Sequence, residues 1–109
     1  MEGFNEFVKE IFTLCKCFPV QDSFALQDQL KRCSISIPSN IAEGASKISS
    51  IEFARYVRIS IGSSFELETQ VLISSELYPN LKTDNLLLKI NNVQRQLNGL
   101  HKKLRAEND

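Results

Sequence analysis

Two stretches decide the fold: SISIPSNIAEG at residues 34–44 and IGSSFELETQ at residues 61–70. Each lies where the spacing of the apolar residues predicts a long helix. Both stretches nevertheless contain serine and glycine, and the first contains a proline, all of which are disfavoured inside helices. Small side chains allow two backbones to approach each other closely. We therefore predict that these stretches belong to two neighbouring helices that pack against each other.

Apolar residues recur at alternating steps of three and four along the whole chain, which is the spacing of amphipathic helices. The first predicted helix has about 14 residues and ends before Pro19, because proline cannot continue a helix. The second begins near Asp22 or Ser23 and ends at Gly44 or shortly after it, since glycine commonly terminates helices. Two helices are thus predicted before residue 48.

The second half of the chain contains two further predicted helices. The third opens with a capping box, in which Ser49 and Glu52 satisfy free backbone amides, and it runs to about Tyr78. The fourth is capped at its start by Thr83 or Asp84 and has a heptad seam of leucine, isoleucine and valine. Short connections and a length of 109 residues predict a single all-α domain over residues 1–109. Its expected architecture is an antiparallel up-down-up-down four-helix bundle.

Pro38 and Gly62 are the least expected residues inside these helices. Pro38 cannot donate to the carbonyl of Ser34, so we expect the second helix to kink there. The alternative is that the helix breaks and Pro38 opens a second piece. Close contact between the second and third helices accounts for the small residues on both. These are Ser34, Ser36, Ser39, Ala42, Gly62, Ser63 and Ser64.

The third predicted helix is apolar on more than one side. A helix of this kind needs more than one partner face. Large exposed apolar patches are uncommon on monomers, so we expect burial of this helix against another copy of the chain.

No catalytic or metal-binding constellation accompanies the serines. The only histidine, His101, lies in a basic segment near the end of the chain, away from any serine that needs a base. Di-metal bundles use Glu-x-x-His motifs, and no such motif or glycine-rich phosphate loop is present. Cys15, Cys17 and Cys33 are too irregularly spaced for a zinc site and are interpreted as reduced thiols. We predict neither an enzyme nor a cofactor, metal or small-molecule substrate.

Polar residues on the two crowded helices are interpreted as structural. We expect Asn40 and either Glu43 or Glu66 to form hydrogen bonds across the helices, with Arg32 or Arg58 as partners. A buried carboxylate without such a partner would be costly.

The formal net charge is zero, whereas dedicated nucleic-acid-binding domains usually carry a basic excess. Five basic residues around the second and third helices allow two interpretations. They form either one surface that contacts RNA or DNA or an ordinary solvated face that Glu52 and Asp28 compensate. The five are Lys31, Arg32, Lys47, Arg55 and Arg58.

The segments QLKRCSISIPSNIAEGASK and EFARYVRISIGSSFELETQVLIS resemble the four-helix-bundle family of 23S rRNA intervening-sequence proteins. The likeness is strong over residues 29–74 and extends to the flanking helices in length and pattern. The motif residues are Ser36, Ile37, Pro38, Asn40, Ile41, Ala42, Glu43 and Gly44, followed by Gly62, Ser63, Glu66, Leu67, Glu68, Thr69 and Gln70.

The resemblance implies a bacterial cytoplasmic protein that assembles as a ring, a homopentamer. The fold is also similar to that of the accessory protein of diversity-generating retroelements, a basic pentamer that works with a reverse transcriptase and nucleic acid. This chain differs from that relative in being neutral and in carrying Ala45-Ser46-Lys47-Ile48 after the glycine.

Two functional hypotheses follow. The first is a non-enzymatic, self-assembling helical bundle that acts as a scaffold or adaptor. The second is an RNA- or DNA-binding accessory module linked to ribosomal RNA or a reverse transcriptase, in which assembly multiplies a modest basic patch.

Overall fold

A computed structural model describes residues 2–19 and 23–107 of the chain. Within these residues the protein is entirely helical, with four helices and no strand, which confirms the predicted all-α class. The molecule is elongated, with extents of 50 × 20 × 20 Å. The helices are α1 (Glu2–Lys16), α2 (Phe24–Ala45), α3 (Ser50–Leu77) and α4 (Asp84–Glu107).

The predicted helix starts agree with local hydrogen bonding. Ser49 lies at the N-cap of α3, and its hydroxyl accepts from the amide of Glu52 at 3.1 Å. Ser23 lies at the N-cap of α2 without capping an amide through its side chain. Its hydroxyl instead donates to the carbonyl of Pro19 and accepts from Gln27. The alternative start at Asp22 lies outside the described residues.

Pro38 lies inside a continuous α2, so the helix does not break into two pieces there. Neighbouring side chains bond to backbone carbonyls on the same stretch. The hydroxyl of Ser34 donates to the carbonyl of Lys31 at 2.9 Å, and that of Ser36 donates to the carbonyl of Cys33 at 2.7 Å. Such bonds run alongside the helical ladder that Pro38 interrupts.

One hydrophobic core joins all four helices. Its largest fully buried side chains come from every helix, because the apolar residues of each recur on one face. They are Phe7, Ile11, Leu30, Ile37, Val57, Leu67, Val71, Ile90 and Leu97. Helix α3 packs against α2 and α4, and α1 packs against the same two helices from the other side. In the described part of the chain, no helix is long and apolar enough to cross a membrane.

Candidate functional site

Helices α2 and α3, which carry the two signature stretches, pack against each other, as predicted. The contacts described here join each stretch to residues just outside the other. A Cβ on Gly44 would lie 2.7 Å from the Cβ of Tyr56 and 2.8 Å from a ring carbon of Phe53. Farther along the contact, the hydroxyl of Ser60 donates to the carbonyl of Ile37 at 2.9 Å. The lack of a side chain on Gly44 therefore lets the two backbones come together at the C-terminal end of α2.

The buried serine hydroxyls at this contact bond to backbone carbonyls. Ser60 bonds across the helices, whereas Ser34 and Ser64 bond to carbonyls three residues earlier in their own helices. The Cys33 thiol donates to the carbonyl of Ser63 at 3.0 Å, which adds a second link between α2 and α3. These groups have a structural role that accounts for the serine-rich sequence.

Two of the acidic motif residues lie on the surface. Glu43 and Glu66 are exposed. The expected cross-helix bonds of Asn40 are wrong, because its amide donates to the carbonyl of Ser36 in α2 at 2.8 Å. Arg32 likewise pairs with Asp28 on its own helix at 2.9 Å. A side chain one turn away on the same helix is always within reach, so it competes effectively with a partner on another helix.

Gly62 differs from Gly44 in its surroundings. A Cβ on Gly62 would have no atom of this chain within 4 Å, and the residue is exposed. The close contact expected at Gly62 is therefore not made among the residues that the structure describes. At Gly62 the backbone of α3 is therefore exposed and is not covered by a side chain.

Sequence reasoning missed Gln94, which makes a polar bridge between α3 and α4. Gln94 is buried, and its amide donates to Glu68 Oε1 at 3.0 Å and to the carbonyl of Ser64 at 3.4 Å. The sequence did contain a signal for this bridge, because a polar residue follows Val93 directly, beside the apolar seam of α4. A buried amide of this kind needs partners on the facing helix.

The cysteines show no arrangement for metal or redox chemistry among the described residues. No group of three or more His, Cys, Asp or Glu side chains converges there. Burial raises the pKa of the Cys15 thiol, which nearby Lys31 partly offsets. Burial, followed by the charge of Glu66, raises the pKa of Cys33 to about 11. Both thiols are therefore protonated at neutral pH, which makes them weak nucleophiles.

The five predicted basic contact residues occupy two regions. Lys31 and Arg32 lie about 20 Å along α2 from the turn that contains Lys47. The ammonium of Lys31 lies 5.3 Å from the ring centroid of Phe12, while Arg32 pairs with Asp28. The structure therefore places Lys31 and Arg32 apart from the other three.

The remaining three basic residues share the end of the molecule where α2 finishes and α3 begins. The Lys47 ammonium lies 5.4 Å from the ring centroid of Tyr56. Arg55 and Arg58 are exposed in the first turns of α3. The C-terminal turns of α4, with His101 and further basic residues, reach the same end, as the 3.1 Å bond from Ser50 to Glu107 shows.

The charges of two arginines, one on α3 and one on α4, act on His101. Burial lowers its pKa, and the charges of Arg105 and Arg58 lower it further. Both influences favour the neutral form of the imidazole. No serine or cysteine side chain bonds to His101 within the described structure.

An apolar strip covers the solvent side of α3, which we call the α3 outer face. Its members are about half exposed, and at 100° per residue they fall within about 140° of the helix circumference. Gly62 lies near the middle of this arc. The α3 outer face consists of Ile51 (53%), Ile59 (52%), Phe65 (50%), Leu72 (45%), Ile73 (44%) and Leu77 (60%).

Comparison with known proteins places the chain in a sequence family. No protein of curated function matches the chain closely enough to count as a relative. The sequence family described as 23S rRNA-intervening sequence protein matches residues 3–99, which include both signature stretches and the greater part of all four helices. The chain therefore belongs to the family of 23S rRNA-intervening sequence proteins.

Proposed function

We propose that this protein is a non-enzymatic, cytoplasmic helical bundle that assembles with copies of itself and acts as a scaffold or adaptor. The observation that carries this proposal is the α3 outer face. Six half-exposed apolar side chains along one helix are more than a monomer usually leaves in water. A second copy that covers them would gain their hydrophobic burial.

The homopentamer implied by the family resemblance is the assembly state proposed here. Light scattering of the full chain at micromolar concentration should then give five times the chain mass of 12.4 kDa. Replacing Ile59 and Phe65 together by serine should shift the mass to that of a single chain. The matched control is Leu88→Ser, which removes an exposed leucine, 62% accessible, from α4. A monomeric wild-type chain would rule out self-assembly.

An antiparallel up-down-up-down arrangement of the helices belongs to the same proposal. Along α2 and α3, Cys33 contacts Ser63 and Ile37 contacts Ser60, so residue numbers rise on one helix as they fall on the other. Residue numbers also run in opposite directions along α3 and α4, because Gln94 bonds to Ser64 and Glu107 bonds to Ser50. These contacts support the arrangement.

We also propose the kink of α2 at Pro38. It is supported by the missing amide opposite the carbonyl of Ser34. A crystal structure would test it through the angle between the helix axes before and after Pro38. A straight axis through this position would rule out the kink.

A second candidate function is binding of RNA or DNA. It is favoured by exposed basic groups at the end of the molecule shared by α3 and α4. Among the residues that the structure describes, the ion pairs are Arg32–Asp28 and Lys89–Glu10. Arg55 and Arg58 consequently keep their charge available to a ligand. Binding to a structured RNA across a salt series tests this function, because phosphate contacts weaken steeply as salt rises.

A further inference from the structure

Helix α2 carries a narrow strip of side chains on its solvent side. Phe24 and Ile35 are exposed, and Lys31 between them is half-buried. At 100° per residue these three positions fall within about 40° of the α2 circumference, and they lie about 120° from the buried residues of the helix. The Lys31 ammonium lies 5.3 Å from the ring centroid of Phe12 on α1. These three residues, which we call the α2 strip, therefore lie on the side of α2 nearest α1.

The α2 strip and the α3 outer face lie on different sides of the molecule. Among the described residues, α1 packs against α2 and α4 but not against α3, so α1 and α3 are diagonally opposite. A ring of five copies joins two different surfaces at every contact, because each copy has a neighbour on either side. The α3 outer face in such a ring therefore packs against another surface of the chain.

The two surfaces match in height along the bundle. The bond from the Cys33 thiol to the Ser63 carbonyl shows which residues of α2 and α3 are level. Because both helices rise about 1.5 Å per residue, the antiparallel arrangement places Ile35 within one residue of the height of Gly62. Rotation about an axis parallel to the bundle leaves these heights unchanged. In a ring of copies that lie side by side, Ile35 is thus level with Gly62 of the neighbour.

The surface at this height has a gap of suitable shape. A Cβ on Gly62 would meet no atom of the chain within 4 Å. Ile59 and Phe65, both about half exposed, flank the glycine three residues away on either side, which is about one turn. A branched apolar side chain from a facing helix packs into such a gap as a knob into a hole.

Two further pairs of residues match in the same register. Lys31 is level with Glu66 to within one residue, and neither takes part in an ion pair in the described part of the chain. At the other end of the α2 strip, Phe24 is level with Leu72, and both are exposed. Opposite charges and apolar side chains therefore coincide over three turns.

We propose that the α2 strip of one copy packs on the α3 outer face of the next, with Ile35 in the gap at Gly62 and Lys31 beside Glu66. This contact rests on the self-assembly proposed above and names the surface that covers the α3 outer face. Repeated around an axis parallel to the bundle, it closes a ring and buries apolar side chains on both surfaces.

Filling the gap tests the contact at Gly62. Gly62→Leu should raise the concentration at which half of the chains are assembled by about tenfold or more, the effect of overpacking. The variant should keep the helix content of wild type in circular dichroism, because leucine favours a helix more than glycine does. The matched control is Gly99→Leu, at an exposed glycine of α4 with equally open surroundings. This control should assemble as wild type does.

A mixed disulfide identifies the surface that faces Gly62. Two variants are made in a Cys17→Ser background, which lacks the exposed thiol; one carries Ile35→Cys and the other carries Gly62→Cys. After the two are refolded together and oxidised, a covalent dimer should appear on a non-reducing gel, whereas neither variant alone should give it. Arg95→Cys, exposed on α4, replaces Ile35→Cys in the control mixture and should give no dimer.

Charge reversal tests the Lys31–Glu66 pair. Lys31→Glu should weaken assembly by about twofold to fivefold, the range of a partly exposed ion pair. Glu66→Lys in the same chain should restore it, since each contact then joins the reversed charges. Lys102→Glu, at an exposed position of α4, should leave assembly unchanged.

The outcomes separate this contact from self-assembly in general. If light scattering shows wild type as a monomer, both self-assembly and the contact are wrong. If wild type assembles but Gly62→Leu assembles equally well, the contact alone is wrong. It is also wrong if the mixture gives no covalent dimer, or if Gly62→Cys crosslinks with itself.

Discussion

Gly44 and Tyr56 face each other across the α2–α3 contact so closely that a Cβ on Gly44 would stand 2.7 Å from the Cβ of Tyr56. The Tyr56 Cβ is attached directly to the backbone of α3, so it cannot rotate away. The ring of Phe53 closes the same space at 2.8 Å. The distance between α2 and α3 at this end is therefore set by the glycine.

The substitution Gly44→Ala should destabilise the protein by about 1–3 kcal/mol, the usual cost of overpacking. Alanine by itself would favour the helix by roughly 1 kcal/mol, so the net loss identifies the steric conflict. Urea unfolding measures it. Gly99→Ala is the matched control, since a Cβ there meets no atom within 4 Å, and it should stabilise the chain slightly. Equal effects of the two substitutions would contradict the close approach.

Ser60 contributes a buried hydrogen bond between α2 and α3, at 2.9 Å from the carbonyl of Ile37. Ser60→Ala should lower the free energy of unfolding by about 1 kcal/mol, the typical net value of one hydrogen bond. Ser75→Ala on the same helix removes a hydroxyl that bonds locally to Leu72 and should change it by less than about 0.5 kcal/mol. Calorimetric melting of both variants distinguishes the cross-helix bond from a general effect of serine.

Helix number and bounds were predictable because apolar spacing and end signals are local properties of the chain. The N-cap at Ser49, whose hydroxyl accepts from the amide of Glu52, and the start of α4 at Asp84 are confirmed. The reciprocal bond of the predicted capping box, from the Ser49 amide to the Glu52 carboxylate, is not among the hydrogen bonds of the described residues. The packing of α2 on α3 also followed, because small residues on neighbouring helices allow close approach. Family membership was recognisable from the same residues and is confirmed over residues 3–99.

Side-chain partners were harder to predict, because they depend on competition that the sequence does not rank. Asn40 and Arg32 bond within α2 rather than across helices, since the local partner costs less entropy to reach. Gln94 was missed because a polar residue beside a heptad seam is ordinarily expected to be exposed. Its burial is explained only once its partners on α3 are known.

The Gln94 bridge predicts a pH-dependent variant. Gln94→Glu places a carboxyl group about 3 Å from Glu68, where two negative charges repel each other. The pair should hold a shared proton with a raised pKa, so the variant should be less stable than wild type at pH 7. The deficit should shrink as the pH falls and the pair becomes protonated.

Chemical unfolding at a series of pH values measures this difference. The control Gln96→Glu adds the same charge to an exposed position of α4 and should show little pH dependence relative to wild type. A Gln94→Glu variant as stable as this control at pH 7 would mean that Gln94 does not face Glu68.

Cys33 predicts a loss of stability at alkaline pH. Its pKa is raised from 9.0 to about 11 by burial and then by Glu66, so the folded thiol keeps its proton where the unfolded thiol has lost it. Unfolding therefore releases a proton between pH 9 and about 11, and the free energy of unfolding falls as the pH rises through this window. Below pH 9 the thiol is protonated in both states, so Cys33 does not make the free energy of unfolding depend on pH.

Cys33→Ala should remove this part of the pH dependence. Urea titrations from pH 8 to 11 would then show a shallower decline than in wild type. Parallel declines would show that the thiol is not held protonated by the α2–α3 contact.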